Sequence, residues 1–294
     1  QCGTDLGLIK TRAEPQGDGS YLITGTKIFI SAGEHDLTEN IIHLVLARLP
    51  DAPAGIRGIS LFVCPKFLPD AANNPGPRNK VACGAIEKKM GIKASATCVM
   101  NFDGAQAWLV GERGKGFKHM ADMINNSRLS NGMRAAGLMR RALTEATFVA
   151  QNRLAFGKRL IDMPLMQRQL VKMTVWAEQA RSVMLQTAQA LSAADQGKGD
   201  PALSRILTPL IKFRACRDAR KVTGDGMEVR GGCGYIEEWS EPRLLRDAHL
   251  GSIWEGTSNI VALDVLRAIR KEGSLPALQR HVEQLLAEGE PVDP

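Results

Sequence analysis

The stretch GERGKGFKHMADMIN, residues 111–125, separates two different patterns of apolar residues. Before it, short runs alternate between apolar and polar residues, as on strands that bury one face. After it, apolar residues recur every three or four positions over many turns, as on helices that bury one face. The chain is therefore expected to fold as a β region followed by a helical region, with GERGKG (111–116) as the hinge.

Four runs before the hinge predict strands, because they are rich in β-branched residues and are bounded by turn-forming residues. They are YLITGTKIFIS (21–31), IIHLVLARL (41–49), GISLFV (58–63) and ATCVMNF (96–102). We expect an antiparallel barrel or sandwich domain over residues 1–113. The Pro- and Asn-rich stretch 69–80 is expected to be an exposed excursion.

The helical pattern predicts a four-helix-type bundle domain over residues 114–272, which makes the fold class α+β. Its predicted helices are 117–155, 163–194, 201–231 and a shorter one that begins after Glu255. The third helix contains Pro209 and is expected to kink or restart there. An amphipathic piece at 275–288 predicts the start of a helical C-terminal extension over 273–294.

Composition limits the class of protein without choosing a function. The chain has 294 residues, of which 44% are hydrophobic, enough for about two domains. Its net charge of +7 fits a solvated basic surface, phosphate-rich cofactors or a nucleic acid, and charge alone does not decide among them. No run approaches the roughly 18–20 apolar residues of a membrane span.

The cysteines and histidines predict neither disulfides nor a metal site. None of the six cysteines forms a CxxC pair, and the five histidines include no HExxH motif. The first residues, QCGTDLGLIK, do not have the basic-then-apolar pattern of a leader, and we expect reduced thiols in a cytoplasmic protein. The cysteines are Cys2, Cys64, Cys83, Cys98, Cys216 and Cys233.

The stretch GSIWEGTSNI, residues 251–260, contains a candidate catalytic carboxylate, Glu255. It stands beside the indole of Trp254 and before Gly256. Partial burial against an apolar neighbour would raise the pKa of Glu255 toward the range of a general base. The alternative is a flexible turn between two helices, since glycines are frequent from Gly231 onward.

Four motifs in order resemble the flavin-dependent acyl-CoA dehydrogenase family, and the resemblance covers residues 2–271. They are GTD (3–5), KIFISAG (27–33), NRLAFGKRL (152–160), and GGCGY (231–235) followed by IWEGT (253–257). The resemblance implies FAD as cofactor and α,β-dehydrogenation of a short or branched acyl-CoA to a trans-2-enoyl-CoA. Glu255 would remove the α-proton, and Gly256 would leave the approach of the substrate open.

The resemblance also implies contacts to the flavin and the substrate. Phe29 stands where many members have Trp, and Glu228 where many have Gln. Arg128 would lie near the substrate, or it would form an ion pair inside the bundle; Asn125 would line the acyl pocket, or it would bond within its helix. The implied flavin contacts are Phe29, Ser31, Arg153, Phe156, Glu228, Gly231, Gly232, Thr257 and Asn259, and the implied substrate contacts are Thr4, Asn125, Arg128 and Gly256.

Partners follow from the same resemblance. They are an electron-transfer flavoprotein as electron acceptor and further copies of the chain, in a dimer or tetramer with flavin at the subunit interface. Since the chain opens within the first motif, we expect the family's N-terminal all-helical domain to be absent.

The sequences of residues 157–170 and 252–267 resemble those of one branch of this family, which includes the bacterial alkylation-response homologue. The alternative function is therefore a flavoprotein that binds duplex DNA and has little dehydrogenase activity. A third possibility is a flavin-free structural protein on the same scaffold, which the Glu255 position disfavours.

Overall fold

The computed structural model describes residues 3–289, which form two compact units. The first unit extends to Met123 and the second begins at Ile124. The predicted domain division at 113/114 remains a prediction.

The first unit is a barrel of mostly antiparallel strands, which confirms the predicted β region. Its main sheet has the order β2-β1-β3-β4-β8-β7, and an additional pairing of β2 with β8 closes a five-stranded ring. The only parallel contact among these strands joins Arg12 of β1 and Arg48 of β3. The strands are β1 (Arg12–Pro15), β2 (Tyr21–Ser31), β3 (Ile42–Arg48), β4 (Ile59–Pro65), β5 (Phe67–Pro69), β6 (Pro75–Arg78), β7 (Val81–Ile86) and β8 (Thr97–Val110).

The long strand β8 is the centre of this barrel, because it pairs with β2, β4 and β7. Alternate side chains of the strands fill the interior, among them the fully buried Ile23, Phe62 and Met100. The expected excursion at 69–80 contains part of a separate small hairpin, since β5 pairs with β6.

A bulge in β2 turns one aromatic side chain outward. The register with β8 shifts between Lys27 and Ile30, where two residues of β2 oppose one residue of β8. Phe29 lies in this bulge with a φ of +61°, and its side chain is 67% exposed. Bulges of this kind often redirect a side chain beside a functional site.

The second unit is a helical bundle, as predicted. Helix α3 packs against α2, α4, α5 and α6. Between α1 and α2 the chain forms a two-stranded hairpin of β9 (Leu154–Ala155) and β10 (Lys158–Arg159). The helices are α1 (Gly116–Asn152), α2 (Pro164–Asp195), α3 (Pro201–Arg230), α4 (Glu241–Gly251), α5 (Ser258–Glu272) and α6 (Leu275–Glu288).

The prediction that the third helix restarts at Pro209 is wrong, because α3 continues through it. Proline removes one helical hydrogen bond, but α3 is buried along much of its length against its neighbours. Most helical stability in proteins comes from such packing rather than from local propensity. Small side chains allow close approach in the core, including Ala135, Ala142 and Ala215.

The five cysteines within residues 3–289 are free thiols, and Cys2 lies outside the described residues. In the same range, no group of three or more His, Cys, Asp or Glu side chains is placed to hold a metal ion. No helix there combines the length and apolar character that crossing a membrane requires.

Candidate active site

The turn between α4 and α5 carries Glu255 and has an unusual backbone. Glu255 has a φ of +53° and Gly256 has a φ of +100°. A left-handed conformation costs about 1–2 kcal/mol for a residue with a side chain, so contacts elsewhere must hold Glu255 in it. A Cβ on Gly256 would lie only 3.1 Å from Cγ2 of Val261. Both the backbone angle and this close contact therefore favour glycine at 256.

Two cations hold the backbone carbonyls of this turn. Lys212 of α3 donates a hydrogen bond from Nζ to the carbonyl oxygen of Gly256. Arg128 of α1 donates from Nε to the carbonyl oxygen of Glu255 over 3.5 Å. Both cations are buried, with exposed fractions of 1% for Lys212 and 9% for Arg128. The turn is thus fixed from two helices at two successive peptide groups.

The indole before Glu255 is fixed as well. Trp254 donates from Nε1 to Oδ1 of Asn131, whose own amide donates to the carbonyl oxygen of Ser127 over 2.9 Å. The guanidinium of Arg134 lies 4.8 Å from the centre of the Trp254 ring, within cation–π distance. Because residues 127, 131 and 134 stand on one face of α1, this helix positions the apolar neighbour of the carboxylate.

An ion-pair network extends from Arg128 to the end of α5. Asp264 pairs with Arg128 and also, over 2.6 Å, with Arg205 of α3. Arg205 in turn pairs with Glu272 over 2.6 Å. Burial alone would raise the pKa of Asp264, but the hydrogen bonds and charges of the two arginines outweigh it and lower that pKa.

The carboxyl of Glu255 differs, because the effect of burial on its pKa exceeds that of the neighbouring charges. Burial raises the pKa of Glu255 above its ordinary value, although the positive charges of Lys212 and Arg128 act to lower it. Burial likewise lowers the pKa of Lys212. A half-buried carboxyl with a raised pKa, beside two cations, is a candidate general base.

An open pocket of about 400 Å³ lies at the Arg205–Glu272 end of this network. Arg205 and Glu272 line it, together with Asn125, which stands one helical turn before Arg128 on α1. Ser274, a completely buried residue, also lines it. The predicted pocket residue Asn125 therefore faces a cavity with a partly charged wall.

A second region lies at the end of α3, where Gly231 ends the helix with a φ of +74°. Arg153 donates from Nη1 to the carbonyl oxygen of Arg230 over 2.7 Å, and a Cβ on Gly231 would lie 3.1 Å from the same nitrogen. No atom lies within 4 Å of a Cβ built on Gly232, and Glu228 is exposed. The glycines thus leave an open surface beside the guanidinium of Arg153.

The side chain of Arg230 lies on the buried side of this surface. It is buried, and it pairs with Glu241 and, over 2.7 Å, with Glu145. Its guanidinium also lies 4.4 Å from the centre of the Trp239 ring. These contacts join α1, α3 and α4 behind the glycine turn.

The remaining predicted residues are exposed. Phe156 has a φ of +53° and a side chain that is 98% exposed, at the tip of the β9–β10 hairpin. In the second unit Thr257 and Asn259 are exposed at the start of α5, and in the first unit Thr4 and Ser31 are exposed. The structure therefore brings Glu255, Gly256 and Arg128 together, and separately Arg153 and Gly231.

Sequence reasoning missed the charged residues around Glu255. Lys212 had a detectable signal, because it is the single charge in the run ILTPLIKF (206–213). Asp264 and Arg205 had none, since charges at helical spacing are common on solvated faces. The ion pair that the alternative interpretation of Arg128 predicted is present, and the same side chain also faces the Glu255 carbonyl.

Comparison with known proteins gives consistent similarities. The family described as "Acyl-CoA dehydrogenase, C-terminal domain" matches residues 114–270. The chain is 38% identical to 3-methylmercaptopropionyl-CoA dehydrogenase of Ruegeria pomeroyi, over 99% of this chain and 52% of that protein. It is 36% identical to AidB of Escherichia coli strain K12, over 94% of this chain and 48% of AidB.

A solved structure extends this similarity to the fold. The structure of Caenorhabditis elegans ACDH-11 in complex with C11-CoA matches with a TM-score of 0.88 and 33% identity, over 97% of this chain and 48% of that chain. The chain spans about half the length of the curated relatives named above.

Proposed function

The chain belongs to the acyl-CoA dehydrogenase family, and we propose that the whole protein dehydrogenates an acyl-CoA between Cα and Cβ to give a trans-2-enoyl-CoA. Glu255 is the general base that takes the α-proton. Because the chain corresponds to about half of its relatives, this proposal concerns the complete protein.

The observation that carries the proposal is the environment of Glu255. Its backbone is held in a left-handed conformation by Lys212 and Arg128, and its carboxyl has a raised pKa beside their charges. The α-hydrogen of a thioester is a weak acid, so its removal needs a positioned base whose pKa lies near the working pH. Such a base contributes about 10²–10⁴ in rate.

Strained backbone supports flavin contacts at the positions that the family resemblance assigns. Phe29, Phe156 and Glu255 all have positive φ without being glycine. Strain of this kind concentrates at ligand-binding positions. The rings of Phe29 and Phe156 are also largely exposed, and an exposed aromatic ring on a strained backbone suits a position that a ligand covers.

FAD fits the exposed groups of each unit. In the first unit Phe29 and Ser31 would contact the flavin ring; in the second, Thr257 and Asn259 would contact its edge. Arg153 would bind the diphosphate beside the open surface of Gly231, Gly232 and Glu228, and Phe156 would contact the adenine. When bound, FAD supplies the acceptor for the β-hydride. A guanidinium and bare glycine backbone are suitable partners for a diphosphate.

The substrate that we propose is a short or branched acyl-CoA. Relatives named for short acyl groups support it, including the 3-methylmercaptopropionyl-CoA enzyme and a butyryl-CoA dehydrogenase of Syntrophomonas wolfei. ACDH-11, in contrast, was solved with C11-CoA. Asn125 favours the shorter group, because an amide is a poor lining for a long alkyl chain. Thr4 would contact the CoA arm.

The partners that we propose are an electron-transfer flavoprotein as electron acceptor and further copies of the chain. Exposed aromatic residues in the second unit support association, since Phe148, Phe156 and Tyr235 are 61%, 98% and 80% exposed. The net charge of +7 and the resemblance to the alkylation-response branch do not by themselves indicate DNA binding, and we do not advance that alternative.

The decisive experiment is the visible spectrum of the full-length protein mixed with a panel of acyl-CoA thioesters under anaerobic conditions. We expect bound flavin, and bleaching by a short or branched member of the panel. A protein that binds flavin but is bleached by no acyl-CoA would contradict the proposed reaction. Bleaching by long acyl-CoA alone would contradict only the substrate.

A further inference from the structure

Lys212 is a buried cation in the middle of α3 to which the reaction above assigns no role. Its side chain is 1% exposed. Its ammonium donates to the carbonyl oxygen of Gly256, and among residues 3–289 it forms no ion pair. The neighbouring Arg128 differs, because its charge is matched by Asp264.

The groups that face Lys212 come from three elements. From α1 they are Arg128 and Arg134, from α3 the thiol of Cys216, and from the turn the carboxyl of Glu255. Burial raises the pKa of Cys216, which keeps that thiol neutral. The acidic group available to balance Lys212 is therefore Glu255.

Keeping an ammonium without a carboxylate partner inside a helical bundle is unfavourable. The effective penalty for burying one ion is several kcal/mol, and an apolar side chain of similar volume would pack in its place at lower cost. Buried charges that lower stability in this way are typical of functional sites. The hydrogen bond to Gly256 and the charge near Glu255 are the two effects that an apolar residue would not provide.

We propose that Lys212 is a positioning residue for Glu255, in two respects. Through the Gly256 carbonyl it fixes the left-handed turn, and its positive charge favours the ionised form of the Glu255 carboxyl against the effect of burial. The inference rests on the proposed role of Glu255 as general base, but its test does not require turnover.

The first test is a direct titration of Glu255 by NMR, with δ-¹³C-labelled glutamate and with Glu255→Gln to assign the signal. In Lys212→Met, which removes the charge but keeps the length, we expect the pKa of Glu255 to rise by about one unit or more. Lys212→Arg should leave it near the wild-type value. Lys221→Met is the matched control, because Lys221 is exposed and nine residues further on the same helix, on the opposite face.

An unchanged titration of Glu255 in folded Lys212→Met would overturn the proposal, as would an equal shift in Lys221→Met. If Lys212→Met does not fold, the reciprocal measurement decides. By linkage, Glu255→Gln must lower the pKa of the Lys212 ammonium, read from ε-¹³C-labelled lysine. An unchanged Lys212 titration in that variant would then overturn it.

A second test uses the reaction and separates the two proposals. In the full-length protein, the acid limb of the pH profile for flavin reduction should move upward by the same amount in Lys212→Met, and not in Lys221→Met. If no acyl-CoA reduces the flavin, the proposed function fails, while the NMR titrations still decide whether Lys212 controls Glu255.

Discussion

Two turns of the second unit share a pattern of positive φ angles but differ in their surroundings. Glu255–Gly256 and Phe156–Gly157 are both pairs in which a residue with a φ of +53° precedes a glycine with a positive φ. At the first pair, side chains from α1 and α3 hold both carbonyls. At the second, the strands β9 and β10 impose the conformation, since a two-residue hairpin turn with two positive φ values matches the twist of its strands.

The two turns contribute to function in different ways. The Glu255 turn is held by buried side chains of its own unit, whose charges also oppose the rise that burial causes in the pKa of its carboxyl. The Phe156 turn presents a ring that is 98% exposed. We therefore interpret the first as a site built by the chain itself, and the second as a surface that a cofactor or a further copy covers.

The largest expected effect is on chemistry at the first turn. Glu255→Gln keeps the size of the side chain but removes the base, and we expect flavin reduction by the acyl-CoA to slow by about 10²–10⁴-fold. Flavin content should stay at the wild-type level. Stopped-flow absorbance of the full-length protein measures both quantities.

The matched control for this variant is Glu238→Gln, which changes an exposed carboxylate before α4. It should reduce flavin at the wild-type rate. If Glu255→Gln does so too, another carboxylate is the base, and the comparison of the two turns loses its functional meaning.

Much of the fold was predictable, because it depends on local periodicity. The strand 21–31 has the predicted ends and the helix after Glu255 is present. The strand β7 was missed, since VACGAI has small residues and a glycine in place of an alternating pattern. The helix α4 was missed because it is short and lies among glycines, and the continuation through Pro209 depends on packing that no local pattern encodes.

Only those site residues that belong to recognisable motifs could be predicted from the sequence. Glu255 and Gly256 belong to a recognisable motif, whereas the cations and carboxylates around them come from helices distant in sequence. Lys212 and Asp264 meet the turn because α3 and α5 pack together. Which of many charges points inward is decided by that packing and by the rotation of each helix.

The second prediction tests whether the ion-pair network supports the first turn. Asp264→Asn leaves the buried charge of Arg128 without its counter-ion, and we expect the free energy of unfolding to fall by about 3 kcal/mol at pH 7. Since the folded-state pKa of Asp264 is lowered, the stability that it contributes is present above its unfolded value of about 3.9 and is lost as pH falls below it. Urea unfolding at several pH values measures this.

The exposed pair of Arg159 and Asp162 provides the control for that network. Asp162→Asn should leave the unfolding free energy nearly unchanged, as is usual for exposed pairs. Equal effects of the two variants, or an Asp264→Asn effect that does not shrink in acid, would show that the network does not support the turn.

The third prediction concerns the surface beside the second turn. Arg153→Ala should weaken FAD retention by about tenfold to a hundredfold, as expected for loss of a charge-assisted contact of about 1.5–3 kcal/mol. The oligomer should loosen at the same time, because the family resemblance implies that the flavin lies at the subunit interface. Equilibrium dialysis and light scattering measure the two effects.

The control is Arg159→Ala, in the same hairpin, which should change neither FAD retention nor the oligomer. If Arg153→Ala leaves FAD retention unchanged, this arginine does not belong to the cofactor site.

The smallest effect concerns the backbone of Phe156. Its ring is 98% exposed and therefore adds little packing energy, while a positive φ is unfavourable for phenylalanine and better tolerated by asparagine. In flavin-free protein we expect Phe156→Asn to raise the free energy of unfolding by about 0.5–1 kcal/mol, measured by urea unfolding. Phe148→Asn, exposed on α1 with ordinary helical angles, should give no such gain.

The same Phe156 variant should retain less FAD if the ring contacts adenine. A gain in stability with a loss of FAD would mean that the turn is strained for binding, whereas a fall in stability would mean that the ring is held by the chain itself, as Glu255 is.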